Sequence, residues 1–272
     1  MSQFDLEQWK AERRQIEKET RTLLNETLKK LPGDSLLLRG FCQTLAKFPE
    51  QSSLNILLLS VQDPAALKIQ TRKGWKEQNL NVAFDAVPLR LMLPGRSYTK
   101  SDGKVGVYWD VVNFFDIRQT DALAESKPEE KPKRGKEILT TFLHAPGFPP
   151  VTREDGPLAS GRSAQWQTES GRLLLCPARS DLQLLTDTLM ALGTRFLEKD
   201  SISDEQRSAL AAAAALTFCL SEGQADTFVP SFAIPSVEGE VNADEMMRLL
   251  KIIRRVFRDL CVLYKTGQEP KP

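Results

Sequence analysis

Apolar positions along the chain follow first one period and then another. From Phe4 to Leu31 they recur at helical spacing: Trp9, Ile16 and Leu23 stand seven apart, Leu6, Leu24 and Leu28 share their side, and Pro32-Gly33 ends the run. This predicts a long amphipathic helix. A second helix is predicted from about Ser52 through Asn55-Ile56-Leu57-Leu58-Leu59 to Pro64, and a third from about Ala65 to Gln78, carrying Trp75. The period then shortens to two. Val82, Phe84 and Ala86 recur at every second position, as do Leu89, Leu91 and Leu93, which predicts strands. From Val105 onward Val107, Trp109, Val111, Phe115 and Ile117 form one apolar face, with Tyr108, Asp110 and Asp116 on the other, and Pro94-Gly95 to Gly103 is expected as a basic hairpin connection.

Between Glu125 and Lys136 no apolar residue occurs, so this stretch is expected to be a linker or an exposed loop. A Pro/Gly-rich approach from Ala145 to Gly161 and a short strand at Arg172 to Cys176 follow. Three helices are predicted after it. Ser180 with Gln183, Ser203 with Gln206 and Asn242 with Glu245 each have the spacing of a capping box, which occupies free backbone N–H groups at a helix start. Leu182, Leu185, Leu189, Leu192 and Phe196 stripe the first of these helices; Met246, Leu249, Leu250, Ile253, Val256, Phe257 and Leu260 stripe the last. The pattern reads as an α+β protein: N-terminal helices plus a small antiparallel sheet over residues 1–120, a charged linker or loop over 121–137, and a mainly helical domain over 138–272.

Composition excludes more than it assigns. The 272 residues carry 37 basic and 36 acidic side chains, and a net charge of +1 points to no partner. A 41% apolar content excludes wholesale disorder. The single histidine, His144, rules out sites that need two imidazoles from one chain, and it is expected in a structural or surface role rather than as a catalytic base. Cys42, Cys176, Cys219 and Cys261 lie far apart among apolar residues without a CxxC; they read as reduced packing thiols, and with the polar N-terminus they imply a cytoplasmic protein. The apolar run from Ala209 to Leu220 is shorter than the roughly 20 residues a bilayer requires, so no membrane partner is expected. No Gly-rich phosphate loop, GxSxG or kinase motif occurs, and no cofactor is implied. Glu222 and Asp226 stand one helical turn apart, a spacing expected of a solvated helix end rather than of a carboxylate pair.

Basic residues interleaved with aromatics are the most suggestive chemistry. Lys68, Arg72, Lys73, Lys76, Arg90, Arg96, Lys100 and Lys104 face only Glu77, Asp85 and Asp102 within one stretch, with Trp75, Tyr98, Tyr108 and Trp109 in or beside it. Cations along phosphates and aromatic faces for unpaired bases are what single-stranded nucleic acid requires. A solvated basic face, with Trp109 in the core, is the plainer reading of the same residues. Lys131 to Lys136 is neutralised by Glu125, Glu129 and Glu130, while Arg254, Arg255 and Arg258 fall on the polar face of the last helix; both clusters read as solubilising.

The order of Ser52-Ser53-Leu54-Asn55-Ile56-Leu57-Leu58-Leu59, a helix ending in Trp75-Lys76-Glu77, strands, and Phe115-Asp116-Ile117-Arg118-Gln119-Thr120 resembles the N-terminal domain of the ArdC-type antirestriction proteins of mobile elements, over about residues 48 to 121. The resemblance implies a single-stranded DNA-binding domain, with Lys68, Arg72, Lys73, Trp75, Lys76, Arg90, Arg96, Tyr98, Lys100, Lys104 and Tyr108 as candidate contacts. Where that family usually has a Val-x-Lys-Gly-Glu turn after the Trp helix, this chain has Leu80-Asn81-Val82-Ala83-Phe84-Asp85.

The second half is similar in element order to the family's zincin-like metallopeptidase domain, which requires His-Glu-x-x-His on its active-site helix. Two registers are possible on the helix from Ser180: Thr186, Asp187 and Met190, or Ala191, Leu192 and Arg195, stand where His, Glu and His would be needed. Neither set binds zinc, so the resemblance implies a scaffold without metal or peptidase activity. The expectation is a non-enzymatic, single-stranded DNA-binding protein of a mobile element or phage. The alternative is an interaction protein that uses the same scaffold toward a protein partner.

Overall fold

A computed structural model describes residues 6–99, 103, 105–122, 134–158, 160–178, 180–224, 233–235 and 242–270. The fold is α+β, and the chain divides into two compact units: residues 1–29 with 54–128, and residues 30–53 with 129–272.

In the first unit, helices α1 (Leu6–Lys30) and α3 (Ser53–Gln62) accompany a three-stranded antiparallel sheet of β1 (Ile69–Thr71), β2 (Leu89–Thr99) and β3 (Val105–Asp116), in the order β1-β3-β2. Leu24 and Leu28 are buried, as their spacing predicts, and so is the whole run Ile56–Leu59. β2 lies at a sheet edge, where unpaired backbone groups invite aggregation. Two side-chain amides from α3 cover them. Asn55 Nδ2 donates to Met92 O at 3.0 Å and its Oδ1 accepts from Met92 N at 2.9 Å; Gln62 does the same for Arg90 O and N at 3.0 and 2.8 Å.

Two expectations fail between β1 and β2. Residues 65–78 do not form one helix, because Ile69–Thr71 pairs with Phe114–Asp116 and only Arg72–Glu77 forms the short helix α4. The Asp116 carboxylate, accepting from Leu67 N and Lys68 N at 2.6 and 3.2 Å, holds the preceding backbone extended. Residues 82–86 do not form a strand either: Val82 makes a single bridge to Thr120 and the segment turns, leaving Phe84 fully exposed. β2 conversely runs through Pro94-Gly95, which were expected in the hairpin connection, by means of a register shift between Pro94 and Ser97. An edge strand tolerates the proline, whose missing N–H costs no ladder bond.

In the second unit α7 (Asp204–Ser221) is central. Residues 209–219 are all buried, which is how a helix apolar on every side resolves its hydrophobicity. Helices α2 (Ser35–Lys47), α6 (Asp181–Phe196) and α8 (Ala243–Thr266) pack against it. The alanines permit close approach: a Cβ on Gly193 of α6 would stand 3.1 Å from the Cα and the Cβ of Ala211. α6 also carries a small mixed sheet of β4 (Val151–Arg153), β5 (Ala164–Gln167) and β6 (Arg172–Leu175), in the order β4-β6-β5, and α5 (Gly135–Leu143). Ser203 and Gln206 close a reciprocal capping box, while Ser180 and Asn242 cap in one direction only. α2 was not expected from the pattern, and it belongs with the second unit, which takes in residues 30–53 as well as 129–272.

Candidate nucleic-acid interface

β1 pairs with β3 only at Phe114–Asp116, so the outer half of the β2–β3 hairpin is a two-stranded ribbon. On one face of that ribbon the Tyr98 and Tyr108 rings lie 4.4 Å apart, tilted by 35°, and are 38% and 58% exposed. Gly106, the partner of Tyr98 across the strands, makes room for the ring: a Cβ there would fall 2.5 Å from Tyr98 Cζ. Arg96 lies in the register shift next to them, exposed, and forms no hydrogen bond or ion pair among the described residues. Lys100 and Lys104 lie outside the described residues. The opposite face carries Val105, Val107 and Trp109, all exposed, so the outer part of the strand does not have the buried face its alternation predicts. Trp109 is thus an exposed aromatic rather than a core residue, and Phe84 is a second aromatic that alternation misplaced.

The remaining candidates gather elsewhere. Trp75 is 0% exposed and packs with Val82 and Phe115, with its Nε1 donating to Phe115 O at 2.8 Å. It is core, not a platform for a base, because its spacing on α4 points it under the sheet end. Lys68 and Arg72 lean on this cluster. Lys68 Nζ sits 5.3 Å from the Trp75 ring and 3.0 Å from Gln78 Oε1; Arg72 stands 4.8 Å from the Phe115 ring and donates to Val82 O and Ala83 O. Lys73 reaches Glu77 at 3.8 Å, and Lys76 is exposed. Arg90 pairs with Glu19 at 2.6 Å, which lowers the Glu19 pKa first through that hydrogen bond. Phe115 and Tyr108 are seven residues apart on an extended strand, about 23 Å. One stretch of sequence therefore becomes two separated clusters, and the hairpin is the one with a pair of exposed aromatic rings.

The residues that carry the family resemblance are architectural. Asn55 seals the edge of β2. Asp116 is buried and also accepts from Arg118 N at 2.9 Å and Arg118 Nε at 2.5 Å; Arg118 bridges on to Asp63. Burial alone would raise the Asp116 carboxyl, but the Arg118 guanidinium and the N–H groups of Arg118, Leu67 and Lys68 outweigh it and hold it below the ordinary value. Gln119 Oε1 accepts from Asp116 N at 2.8 Å and its Nε2 donates to Val87 O at 2.7 Å. The Phe-Asp-x-x-Gln-Thr run thus ties β3 to the segments before β1 and β2.

The second unit's α6 presents no metal-binding face. Thr186, Asp187, Met190, Ala191 and Leu192 are buried, and the Asp187 carboxylate accepts from Ser163 N at 2.7 Å and Gln183 Nε2 at 3.3 Å. Arg195 pairs with Glu269 and stacks 5.3 Å from the Trp166 ring. Among the described residues no three His, Cys, Asp or Glu side chains are grouped as a metal would need. His144 ends α5, with its Nδ1 2.8 Å from Thr140 O. The thiols are free; burial pushes Cys42, Cys219 and Cys261 up to about 12. No helix of the described residues is long and apolar enough to cross a membrane.

The geometry defines an α+β protein of two units with an exposed aromatic and basic hairpin. No family model and no curated protein matches the sequence. Similar solved structures are those of the antirestriction protein ArdC from plasmid R388: the metal-free form at TM-score 0.46 and 13% identity, covering 79% of this chain and 81% of that one, and the Mn(II)-bound form at TM-score 0.47 and 13% identity, covering 97% and 96%.

Proposed function

We propose that this protein binds single-stranded DNA through the outer half of the β2–β3 hairpin and catalyses no reaction. The observation that carries the reading is the exposed Tyr98–Tyr108 pair on the hairpin of Arg96, which is exposed and has no ion pair among the described residues. Tyrosine rings held on strands offer a base a flat apolar surface with little rotamer entropy left to lose, and Arg96 supplies charge to the adjacent phosphate. The sequence resemblance over residues 48 to 121 supports the same partner and an antirestriction role for a mobile element or phage.

The test is a salt-titrated comparison of single-stranded and duplex DNA of equal length. Tighter binding to the single strand is expected, because stacking is worth about 1–3 kcal/mol per base and needs unpaired bases. The log–log salt slope is expected at roughly −0.7 per phosphate neutralised. Arg96→Glu weakens binding, whereas Lys73→Glu with Lys76→Glu, at the other cluster, has the smaller effect. Equal binding to both forms, or none at low salt, rejects the DNA reading and favours a protein partner.

A further inference from the structure

Lys251, Arg254, Arg258 and Lys265 of α8 recur at spacings of three, four and seven residues, which puts them on one stripe. The stripe lines a cavity of about 430 Å³ walled by Ala46 and Pro49 after α2 and by Ser221 and Glu222 at the end of α7. Glu222 is the one acidic side chain among the described lining residues. Arg255, also on the wall, is committed to Asp200 at 2.6 Å. Arg254 donates to Pro49 O at 3.0 Å and Glu50 O at 3.4 Å, which neutralises carbonyls just beyond the end of α2. Lys251, Arg258 and Lys265 form no hydrogen bond or ion pair among the described residues.

Like charges one turn apart destabilise a helix, and a purely solubilising face alternates its signs. Here four cations line a recess that Phe257 and Cys261 also line. A volume of this size is that of a small-molecule site rather than of a flat patch. Cys261 contributes no anion or nucleophile, because burial holds its thiol protonated. Lys251, Arg254 and Arg258 span two helical turns, about 10 Å, so their charges suit an anion with several negative groups along its length.

We propose that this cavity binds a small polyphosphate, with Lys251, Arg258 and Lys265 as the phosphate contacts and Arg254 as the fixed cation between them. The site is in the second unit and does not depend on DNA binding by the hairpin. Titration calorimetry with sodium tripolyphosphate on the full chain tests it. One site per chain is expected, with affinity falling as potassium chloride is raised. Lys251→Glu with Arg258→Glu lowers the affinity about tenfold or more, since each lost charge-assisted hydrogen bond is worth that much. Both side chains are exposed and form no hydrogen bond or ion pair among the described residues, so the variant should melt close to the parent; Lys265→Glu gives a second reading from the far end of the stripe. Arg96→Glu leaves the titration unchanged, which separates this site from the hairpin. Absence of binding at low salt, equal binding of sulfate, or tripolyphosphate affinity indifferent to all three charge reversals overturns the proposal. So does binding of a 5′-phosphorylated oligonucleotide through Lys251 and Arg258 without any of tripolyphosphate, because the ligand would then be a nucleic-acid end.

Discussion

Replacing Trp75 separates a buried role from a base-stacking one. The indole is wholly buried among Val82, Phe115, Leu80, Ala86 and Ile117, and it donates to Phe115 O. Removing up to about 250 Å² from water is worth at most about 6 kcal/mol at 25 cal/mol per Å². Collapse of the adjoining turn at residues 80–86 recovers part of that, so Trp75→Ala is expected to cost about 3–5 kcal/mol, in line with large-to-small changes in cores. For a chain of this size this corresponds to a fall in melting temperature of roughly 6–20 °C. Trp75→Phe keeps most of the ring and leaves one carbonyl without its donor, at a cost of about 1–3 kcal/mol. Melting followed by circular dichroism reads the stability, and single-stranded DNA titration below the transition reads the function. Trp75→Phe should bind DNA within about twofold of the parent, because nothing on the hairpin has changed. A Trp75→Ala protein that melts with the parent but has lost affinity for DNA refutes the reasoning and returns Trp75 to the binding surface.

Tyr98→Ala combined with Tyr108→Ala should lower single-stranded DNA affinity by about 10- to 100-fold, the worth of one or two stacked bases, while the melting temperature moves by a few degrees at most; unchanged affinity rejects the tyrosines as the platform. Asp116→Asn should destabilise by about 2 kcal/mol at neutral pH. The folded pKa of Asp116 is lowered, so its contribution is present above the unfolded value near 3.9 and is lost as pH falls through the folded one. The gap between parent and variant in denaturant melts should therefore close below about pH 4, and a gap that widens on acidification contradicts the assignment. Elemental analysis after dialysis should find no stoichiometric zinc; about one zinc per chain, lost together with peptide hydrolysis on adding a chelator, would show α6 to be a working metal site.

Long-range contacts, more than local pattern, separate what was legible in the sequence from what was not. Helical stripes of 16 residues or more, in α1, α6 and α8, were readable because each repeats its apolar face over several turns, and Ser180 and Asn242 marked the starts of α6 and α8. The inner part of β2, Leu89 to Leu93, and β3 were readable for the same reason at period two, whereas the outer half of β2 was not. Shorter elements were decided by partners distant in sequence. Residues 65–78 read as a helix until Asp116, nearly fifty residues on, drew Leu67 and Lys68 into an extended run and β3 paired with Ile69–Thr71.

The candidate interface divides in the same way. Residue types specified that cations and aromatics share one stretch, since that is a property of order alone. Only the tertiary structure decided which of them meet solvent: Trp75 went beneath the sheet, Arg90 to Glu19, and Tyr98, Tyr108 and Trp109 outward, because the ribbon continues past the point where β1 ceases to pair. Arg254, Arg255 and Arg258 of α8 were likewise visible as charges, though Lys251 and Lys265 were not grouped with them. Their convergence on a recess was not visible, because its walls come from α2 and α7, far away in the chain, and alternation within one helix records nothing of what stands opposite it.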